Sequence, residues 1–379
     1  MENIYLKNKD KSMCNGCEIC TKVCPTNAIK MVEDQEGFFY PEIDKDKCIN
    51  CNKCKNICSN YNTSLGNEKV YVAINKNEKE LEESSSGGMF YILAKYVIEK
   101  NGVVFGVEYD ENLKVRHNFY ETLEECKRFQ GSKYVRSDIK DSYRKVEEFL
   151  KDDRYVLFTG TPCQCNALKT YLVKEYEKLI LCDIICHANP SQKVFDKYKN
   201  EIENSRDKKI KMIYFRTKDN GWRNQTPIIE YMDNEKEEEK TFFSAFVKEL
   251  INRPSCHSCV FASSNRVTDF SIGDFWGIEK VMPEVEDKDT GISLFMVNSK
   301  KASEVFDNVK EYIKYKEVDK DLAFLYNHNK NVPMHRNREK FFNNLDKISV
   351  IDNINQNIKV SFIRKVFRKC KSLLNKIKK

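Results

Sequence analysis

The stretch YVLFTGTPCQCNALKTYLVKEYEKLILCDIIC, residues 155–186, decides the fold prediction for most of this chain. Its apolar runs at 155–160 and 179–186 have the length and composition of buried strands, and the segment between them has the pattern of a helix. Strand, helix and strand in this order place two parallel strands side by side through a right-handed crossover. We therefore predict an α/β domain with a partly parallel sheet.

Two cysteines follow the carboxyl ends of these strands, Cys163 after the first and Cys186 at the end of the second. The carboxyl ends of neighbouring parallel strands meet at one edge of the sheet, where open α/β sheets bind ligands. The two thiols therefore form half of a metal site. We expect Cys256 and Cys259, in RPSCHSC (253–259), to supply the other half. Small buried or incidental thiols are the expectation for Cys126, Cys165, Cys182 and Cys370, and hydrogen-bonded structural roles for His187 and His257.

The first sixty residues repeat one cysteine pattern, C-x2-C-x2-C-x3-C. Three closely spaced thiolates and one remote thiolate are the ligands of each cubane in two-cluster ferredoxins. The expected sets are Cys14, Cys17, Cys20 and Cys58 for one [4Fe–4S] cluster, and Cys48, Cys51, Cys54 and Cys24 for the other. Two zinc knuckles are the alternative, but zinc sites rarely need eight cysteines at this doubled spacing.

Composition limits the remaining possibilities. Sixteen cysteines and no signal-peptide pattern favour a cytoplasmic protein that uses thiols for metal or redox chemistry rather than for disulfides. The net charge of +7 includes nine Lys or Arg after residue 355, so the body carries about −2. A basic stripe with interleaved aromatics is missing from the body, which argues against nucleic-acid binding.

The segment ESSSGGMFYILAKYVIEKNG (83–102) predicts a helix that begins after Ser84–Ser86 and Gly87–Gly88. Hydroxyls and glycines at a helix start can present backbone N–H groups to a phosphate. A serine cap with flexible glycines explains the same residues, and the sequence contains neither a Rossmann fingerprint nor a P-loop.

Six ordered motifs resemble the beta subunits of coenzyme F420-reducing hydrogenase and F420-linked dehydrogenases, and most closely their bacterial relatives with a fused N-terminal two-cluster ferredoxin. The motifs are SSGGM (85–89), QGSKYVRSD (130–138), FTGTPCQ (158–164), CDIICHANPS (182–191), RPSCHSC (253–259) and SIGDFWGI (271–278). With the ferredoxin part, the resemblance covers residues 1 to about 350.

The resemblance implies that Cys163, Cys186, Cys256 and Cys259 hold a third [4Fe–4S] cluster beside an FAD. It also implies that the flavin contacts are Ser86, Gly87, Gly88, Lys133 and Thr161. Catalytic residues stay unassigned, with His187 and Asp274 as candidate general acids.

Three functions stay open. The first is an FAD-dependent iron–sulfur oxidoreductase that moves electrons between a two-electron donor or substrate, such as reduced coenzyme F420, and one-electron carriers. The second is an electron-transfer subunit of a larger complex, or a ferredoxin-dependent reductase of a small molecule. The third is a scaffold in which the four body cysteines hold zinc and no flavin binds.

The predicted organisation has three parts: a two-cluster ferredoxin-like domain (1–64), an α/β domain that binds FAD and a [4Fe–4S] cluster (65–350), and a basic amphipathic C-terminal helix (351–379). In the last, apolar residues from Ile363 to Ile377 fall on one arc, and Lys and Arg lie outside it. Such a helix suits peripheral contact with an anionic membrane, and docking on the body is the equal alternative. A redox partner protein or small electron carrier is the expected partner.

Overall fold

The computed structural model describes residues 4–58, 68–286 and 288–358. The strands are β1 Ile29–Glu33, β2 Phe39–Ile43, β3 Lys69–Asn75, β4 Val103–Tyr109, β5 Val115–Tyr120, β6 Val156–Gly160, β7 Leu179–Ile184, β8 Ile210–Tyr214, β9 Ile228–Tyr231, β10 Lys236–Glu238, β11 Phe270–Asp274, β12 Ser293–Val297 and β13 Ile313–Val318. The α-helices are α1 Tyr5–Asn8, α2 Ile19–Lys22, α3 Lys53–Cys58, α4 Glu78–Glu82, α5 Met89–Ile98, α6 Leu123–Cys126, α7 Ser142–Lys151, α8 Pro162–Leu172, α9 Gln192–Arg206, α10 Thr241–Val247, α11 Ile278–Val281, α12 Lys300–Val309, α13 Lys320–Ala323, α14 Arg338–Asn343 and α15 Val350–Ile358.

An eight-stranded sheet, in the order β13-β3-β12-β11-β7-β6-β4-β5, organises the body. Its centre is parallel, because β4 pairs with β6, β6 with β7, and β7 with β11 in the same direction. The strands at both edges run antiparallel. All five residues of β6 are buried, as expected for a parallel strand covered on both faces. The partly parallel sheet predicted from residues 155–186 is confirmed.

The β6–α8–β7 unit places the first functional thiol. Thr161 and Gln164 form a reciprocal capping box at the start of α8, and Pro162 occupies its first turn, so the chain becomes helical immediately after β6. Cys163 therefore lies in the first turn of α8, at the carboxyl edge of the sheet. Cys186 follows the end of β7 by two residues and reaches the same edge.

The N-terminal part is built around the antiparallel pair β1–β2 and the short helices α2 and α3. It packs firmly on the body. Ile19, at the start of α2, lies in a hydrophobic cluster with Phe158 of β6 and Leu168 of α8. The Tyr143 hydroxyl donates to the carbonyl oxygen of Cys17 over 3.1 Å.

A second layer covers one side of the body. The antiparallel sheet β8–β9–β10 packs with α9, α10 and α15 around aromatic residues such as Phe242. Helix α15 crosses the predicted domain boundary at residue 350, and its Ile354 is fully buried. Residues 363–379, on which the membrane-contact prediction rests, lie outside the described residues, as does Cys370. Within the described ranges, no helix is both long and apolar enough to cross a membrane.

Candidate functional site

The first thiol set, Cys14, Cys17, Cys20 and Cys58, lines one cavity between the N-terminal part and α8. Burial raises the pKa of Cys17 to about 12 and that of Cys58 to about 11, and the neighbouring Cys14 thiolate adds to both shifts. Thiolates that raise one another's pKa need a positive charge between them, which a bound metal cluster supplies. The structure thus brings together the four cysteines expected for one cubane.

The second set lies farther out. Burial raises the pKa of Cys54, and the thiolates of Cys24 and Cys51 raise it further, so these three are neighbours. Cys24 accepts a hydrogen bond from the backbone N–H of Ala28 over 3.2 Å. Cys51 is exposed to solvent, and Cys48 is half-buried in the same loop.

The third set, Cys163, Cys186, Cys256 and Cys259, lines a second cavity of about 400 Å³. Burial raises the pKa of Cys186 well above its usual value, and the thiolates of Cys256, Cys163 and Cys259 raise it further. Burial likewise raises the pKa of Cys256 to about 12 and that of Cys259 to about 11. The two strand-end thiols and the Cys-x-x-Cys pair therefore converge.

Backbone contacts hold the Cys-x-x-Cys segment against the strand ends. A short 3₁₀ turn, Pro254–Ser258, carries Cys256, and Arg253 precedes it. The Arg253 N–H donates to the carbonyl oxygen of Asn189 over 2.8 Å, and the Asn189 N–H donates to the Cys256 sulfur over 3.3 Å. The loop that follows Cys186 is thereby joined to the loop that carries Cys256.

A buried ion pair completes this frame. Arg266 Nη2 lies 2.8 Å from Asp183 Oδ2 on β7, and both side chains are almost fully buried. The same guanidinium donates to the carbonyl oxygens of Ile184, at the end of β7, and of Phe261, just after Cys259. One arginine therefore connects the two halves of the third thiol set.

The first and third sets are adjacent. Asn15 and Cys163 line both cavities, and the Cys163 thiolate contributes to the raised pKa of Cys17. The Arg136 guanidinium acts on this boundary, since it lowers the pKa of Cys163 against the effect of burial and pairs with Glu18 over 3.0 Å.

A cluster of histidines and one buried glutamate lies at the third set. His187 Nε2 is 2.5 Å from Glu249 Oε1, and His257 Nδ1 contacts the carbonyl oxygen of Val332 over 2.9 Å. His328 lines the cavity and lies against the His187 ring. These contacts fit the structural roles expected for His187 and His257. Glu249 and His328 were not identified from the sequence, because nothing local marks them.

The turn Ser84–Gly88 is held between two strands. The Gly87 N–H donates to the Ser293 hydroxyl over 2.9 Å, and a Cβ at Gly87 would lie 2.3 Å from the carbonyl oxygen of Ala73. Gly88 has a φ of 84° and precedes α5. Glycine is required at both positions, by close approach at the first and by backbone conformation at the second.

Two half-buried lysines flank this turn. Lys218 Nζ donates to the Ser86 carbonyl oxygen over 2.9 Å, and burial lowers its pKa to about 8. Lys133 Nζ donates to the Gln130 carbonyl oxygen over 2.7 Å, and burial lowers its pKa to about 7. The backbone N–H of Ser132 donates to the Ser85 hydroxyl over 3.1 Å, so the loop of Lys133 contacts the turn directly.

The remaining predicted residues are already engaged. Thr161 lies at the third thiol set, with its hydroxyl 3.2 Å from the Cys163 sulfur. Asp274 accepts from Arg216 over 2.6 Å and from the Trp222 indole over 2.7 Å. An ion-paired carboxylate of this kind is a poor proton donor.

Two family models match the chain. The C terminus of the beta subunit of coenzyme F420 hydrogenase/dehydrogenase matches residues 153–321, which contain the third thiol set. The 4Fe-4S dicluster domain matches residues 13–61, which contain the first and second sets. These matches confirm the resemblance that the six motifs and the cysteine spacing indicated.

Individual proteins match over shorter lengths. A subunit of the F(420)H(2) dehydrogenase of Methanosarcina mazei is 24% identical over 180 residues, 45% of this chain and 51% of that protein. A subunit of the ion-translocating oxidoreductase complex of Methanosarcina acetivorans is 44% identical over 45 residues, 12% of this chain and 15% of that protein. The chain therefore spans about half the length of the first relative and less of the second.

Among solved structures, a chain of the F420-reducing [NiFe] hydrogenase complex from Methanosarcina barkeri aligns with a TM-score of 0.46 and 17% identity, over 67% of this chain and 86% of that chain. The family models and the thiol sets identify the chain's two parts. Residues 153–321 belong to the coenzyme F420 hydrogenase/dehydrogenase beta-subunit family, and they follow an N-terminal 4Fe-4S dicluster domain in the same chain.

Proposed function

We propose that this protein is an FAD-dependent iron–sulfur oxidoreductase that moves electrons between a two-electron donor, with reduced coenzyme F420 as the candidate, and one-electron carriers. The observation that carries the proposal is the convergence of Cys163, Cys186, Cys256 and Cys259 on one cavity that adjoins the first ferredoxin set. A third [4Fe–4S] site at this position extends the two sites of the dicluster domain into the body.

The residues of the third set fit a [4Fe–4S] cluster. Four thiols from three separate segments supply the ligand number and type that such a cluster needs. Positive side chains act on them, since Arg253 and Arg266 lower the thiol pKa values that burial raises. Cys163, Cys186, Cys256 and Cys259 would hold the cluster, and the Asn189 N–H would donate to the Cys256 sulfur as it does here.

The thiol sets are arranged in series. Cys163 joins the third set to the first, whereas the second set reaches solvent at Cys51. Residues around the second set include the exposed side chains of Lys45, Lys47 and Lys53. This order supports exchange with a partner at the second set and a buried redox reaction near the third.

The turn Ser84–Gly88 and its two lysines fit the phosphate groups of FAD. Within the described part of the chain, neither Lys133 nor Lys218 pairs with a carboxylate, and both ammonium groups donate to backbone carbonyl oxygens near the turn. Partly buried cations without a counter-charge favour an anionic ligand. Bound flavin would supply two-electron chemistry toward a small molecule and one-electron chemistry toward the clusters. Lys133, Lys218 and the turn would fix its position.

A second candidate is an electron-transfer subunit of a larger complex. The exposed Cys51 and its neighbouring lysines favour contact with a protein partner, and both curated relatives are named as subunits. In that case the flavin would serve chemistry that the partner performs.

Metal and flavin content of anaerobically purified protein tests the proposal. We expect about twelve irons, three clusters of four, together with one flavin. About eight irons with bound zinc would instead identify the body cysteines as a zinc site and refute the proposal. Turnover of the isolated chain with reduced coenzyme F420 and a ferredoxin then separates a complete enzyme from a subunit that needs its partner.

A further inference from the structure

Arg253 lies between the first and third thiol sets. It is 1% exposed and directly precedes the turn that carries Cys256. Its Nε donates to the carbonyl oxygen of Cys14 over 2.7 Å, and its Nη2 donates to that of Phe39 over 2.8 Å. Its guanidinium also lies 4.3 Å from the centre of the Tyr40 ring. One side chain from the body therefore reaches into the dicluster domain.

The guanidinium packs directly against the loop that carries the first set. Gly16, between Cys14 and Cys17, has a φ of 68°, and a Cβ added there would lie 3.1 Å from the Arg253 guanidinium carbon. The charge also acts on the third set, where it lowers the pKa values of Cys163 and Cys256 against the effect of burial.

Arg253 differs from its neighbours in having no carboxylate partner within residues 4–58, 68–286 and 288–358. The other buried arginines here are each paired: Arg136 with Glu18 at 3.0 Å, Arg266 with Asp183 at 2.8 Å and Arg338 with Glu36 at 2.7 Å. A buried charge is stable only when an opposite charge or strong hydrogen bonds compensate it. The groups available to compensate Arg253 are the thiolates of the two adjacent sets.

We propose that Arg253 is a positioning residue that acts as the shared counter-charge of the first and third clusters and raises the reduction potential of both. A [4Fe–4S] cluster with four thiolates is anionic, and reduction adds one electron without a bond being formed or broken. A fixed cation between two such sites favours the reduced form of each. The inference rests on the proposed third cluster.

Redox titration of the anaerobically purified full chain, followed by electron paramagnetic resonance, tests this role. Arg253→Gln removes the charge and keeps a donor group, whereas Arg253→Lys keeps the charge. Arg338→Gln is the matched control, because Arg338 is also buried at the contact with the dicluster domain but is neutralised by Glu36.

We expect Arg253→Gln to lower two midpoint potentials, each by a tenfold or larger change in the one-electron equilibrium, about 59 mV. Arg253→Lys should restore most of this shift, and Arg338→Gln should leave all potentials unchanged. The second cluster, which Arg253 does not contact, should keep its potential in every variant.

Unchanged potentials in an Arg253→Gln protein with full iron content would overturn the inference. Equal iron loss in Arg253→Gln and Arg253→Lys would also overturn it, since shape rather than charge would then matter. Iron loss in Arg253→Gln alone would support the role of the charge. The iron content of the unmodified protein separately tests the proposed function, because about eight irons would remove the third cluster itself.

Discussion

Replacing Arg266 should loosen the third site without touching its cysteines. Arg266→Met leaves the carboxylate of Asp183, which is fully buried, without its guanidinium. Removal of one partner of a buried ion pair costs about 3–5 kcal/mol. At 1.4 kcal/mol for each factor of ten, local opening should become more frequent by about two to four orders of magnitude.

Hydrogen–deuterium exchange of the anaerobic holoprotein measures this opening. Protection should fall in peptides that cover β7 with Cys186 and β11 with the Cys259 loop, because Arg266 contacts the backbone of both. The double variant Asp183→Asn with Arg266→Met removes both charges and should recover a large part of the loss. Arg144→Met is the control, because its ion pairs are largely exposed and should be worth less than about 1 kcal/mol.

The loss should depend on pH. Burial raises the pKa of Asp183, and Arg266 offsets part of that rise, so the Arg266→Met variant raises this pKa further. A carboxyl whose pKa is higher in the folded than in the unfolded state binds more protons when folded, so stability falls as pH rises between the two values. The variant should therefore approach the parent protein at acidic pH. Equal protection in the single and double variants, or no change in β7 at neutral pH, would refute the reasoning.

Cys163→Ser should lower the iron content from about twelve to about eight per chain and preserve the spectrum of the dicluster domain, whereas Cys126→Ser, a buried thiol of the body, should keep all iron. FAD binding to flavin-free protein should weaken above pH 7, by up to about tenfold per pH unit, because the Lys133 ammonium loses its proton near that pH; a fluorescence titration of Lys133→Met should show no such dependence. Gly87→Ala should destabilise the fold by about 1–3 kcal/mol, seen as a lower Tm, because its Cβ would overlap the Ala73 carbonyl oxygen. An unchanged Tm would show that the turn can relax away from β3.

Local patterns account for the parts of the fold that the sequence predicted. The two apolar runs at 155–160 and 179–186 have the length of buried strands, and the capping residues Thr161 and Gln164 fix the start of α8. These features suffice to predict that Cys163 and Cys186 lie at one edge of the sheet. Strand order was not predicted, because nothing in residues 69–75 indicates that β3 pairs with both β12 and β13.

Charged residues around the site escaped prediction for a related reason. Arg253 and Arg136 occur inside two of the six family motifs, RPSCHSC and QGSKYVRSD, but their contacts reach residues more than a hundred positions away. Lys218 and Glu249 lie in segments with no distinctive pattern. Spacing along a chain reports periodicity and loop length, whereas the partner of a buried charge is chosen by the packing of remote segments.

The burial of Ile19 against Phe158 and Leu168 has a consequence for electron delivery. A ferredoxin tethered by a flexible linker would swing between two docking positions, and its transfer rate would vary with solvent viscosity and linker length. Here the N-terminal part shares a hydrophobic cluster with the body, so the separation between the first and third sets stays constant throughout turnover. Internal transfer should therefore be insensitive to added viscogen, and slow exchange with the outside carrier should set the pace.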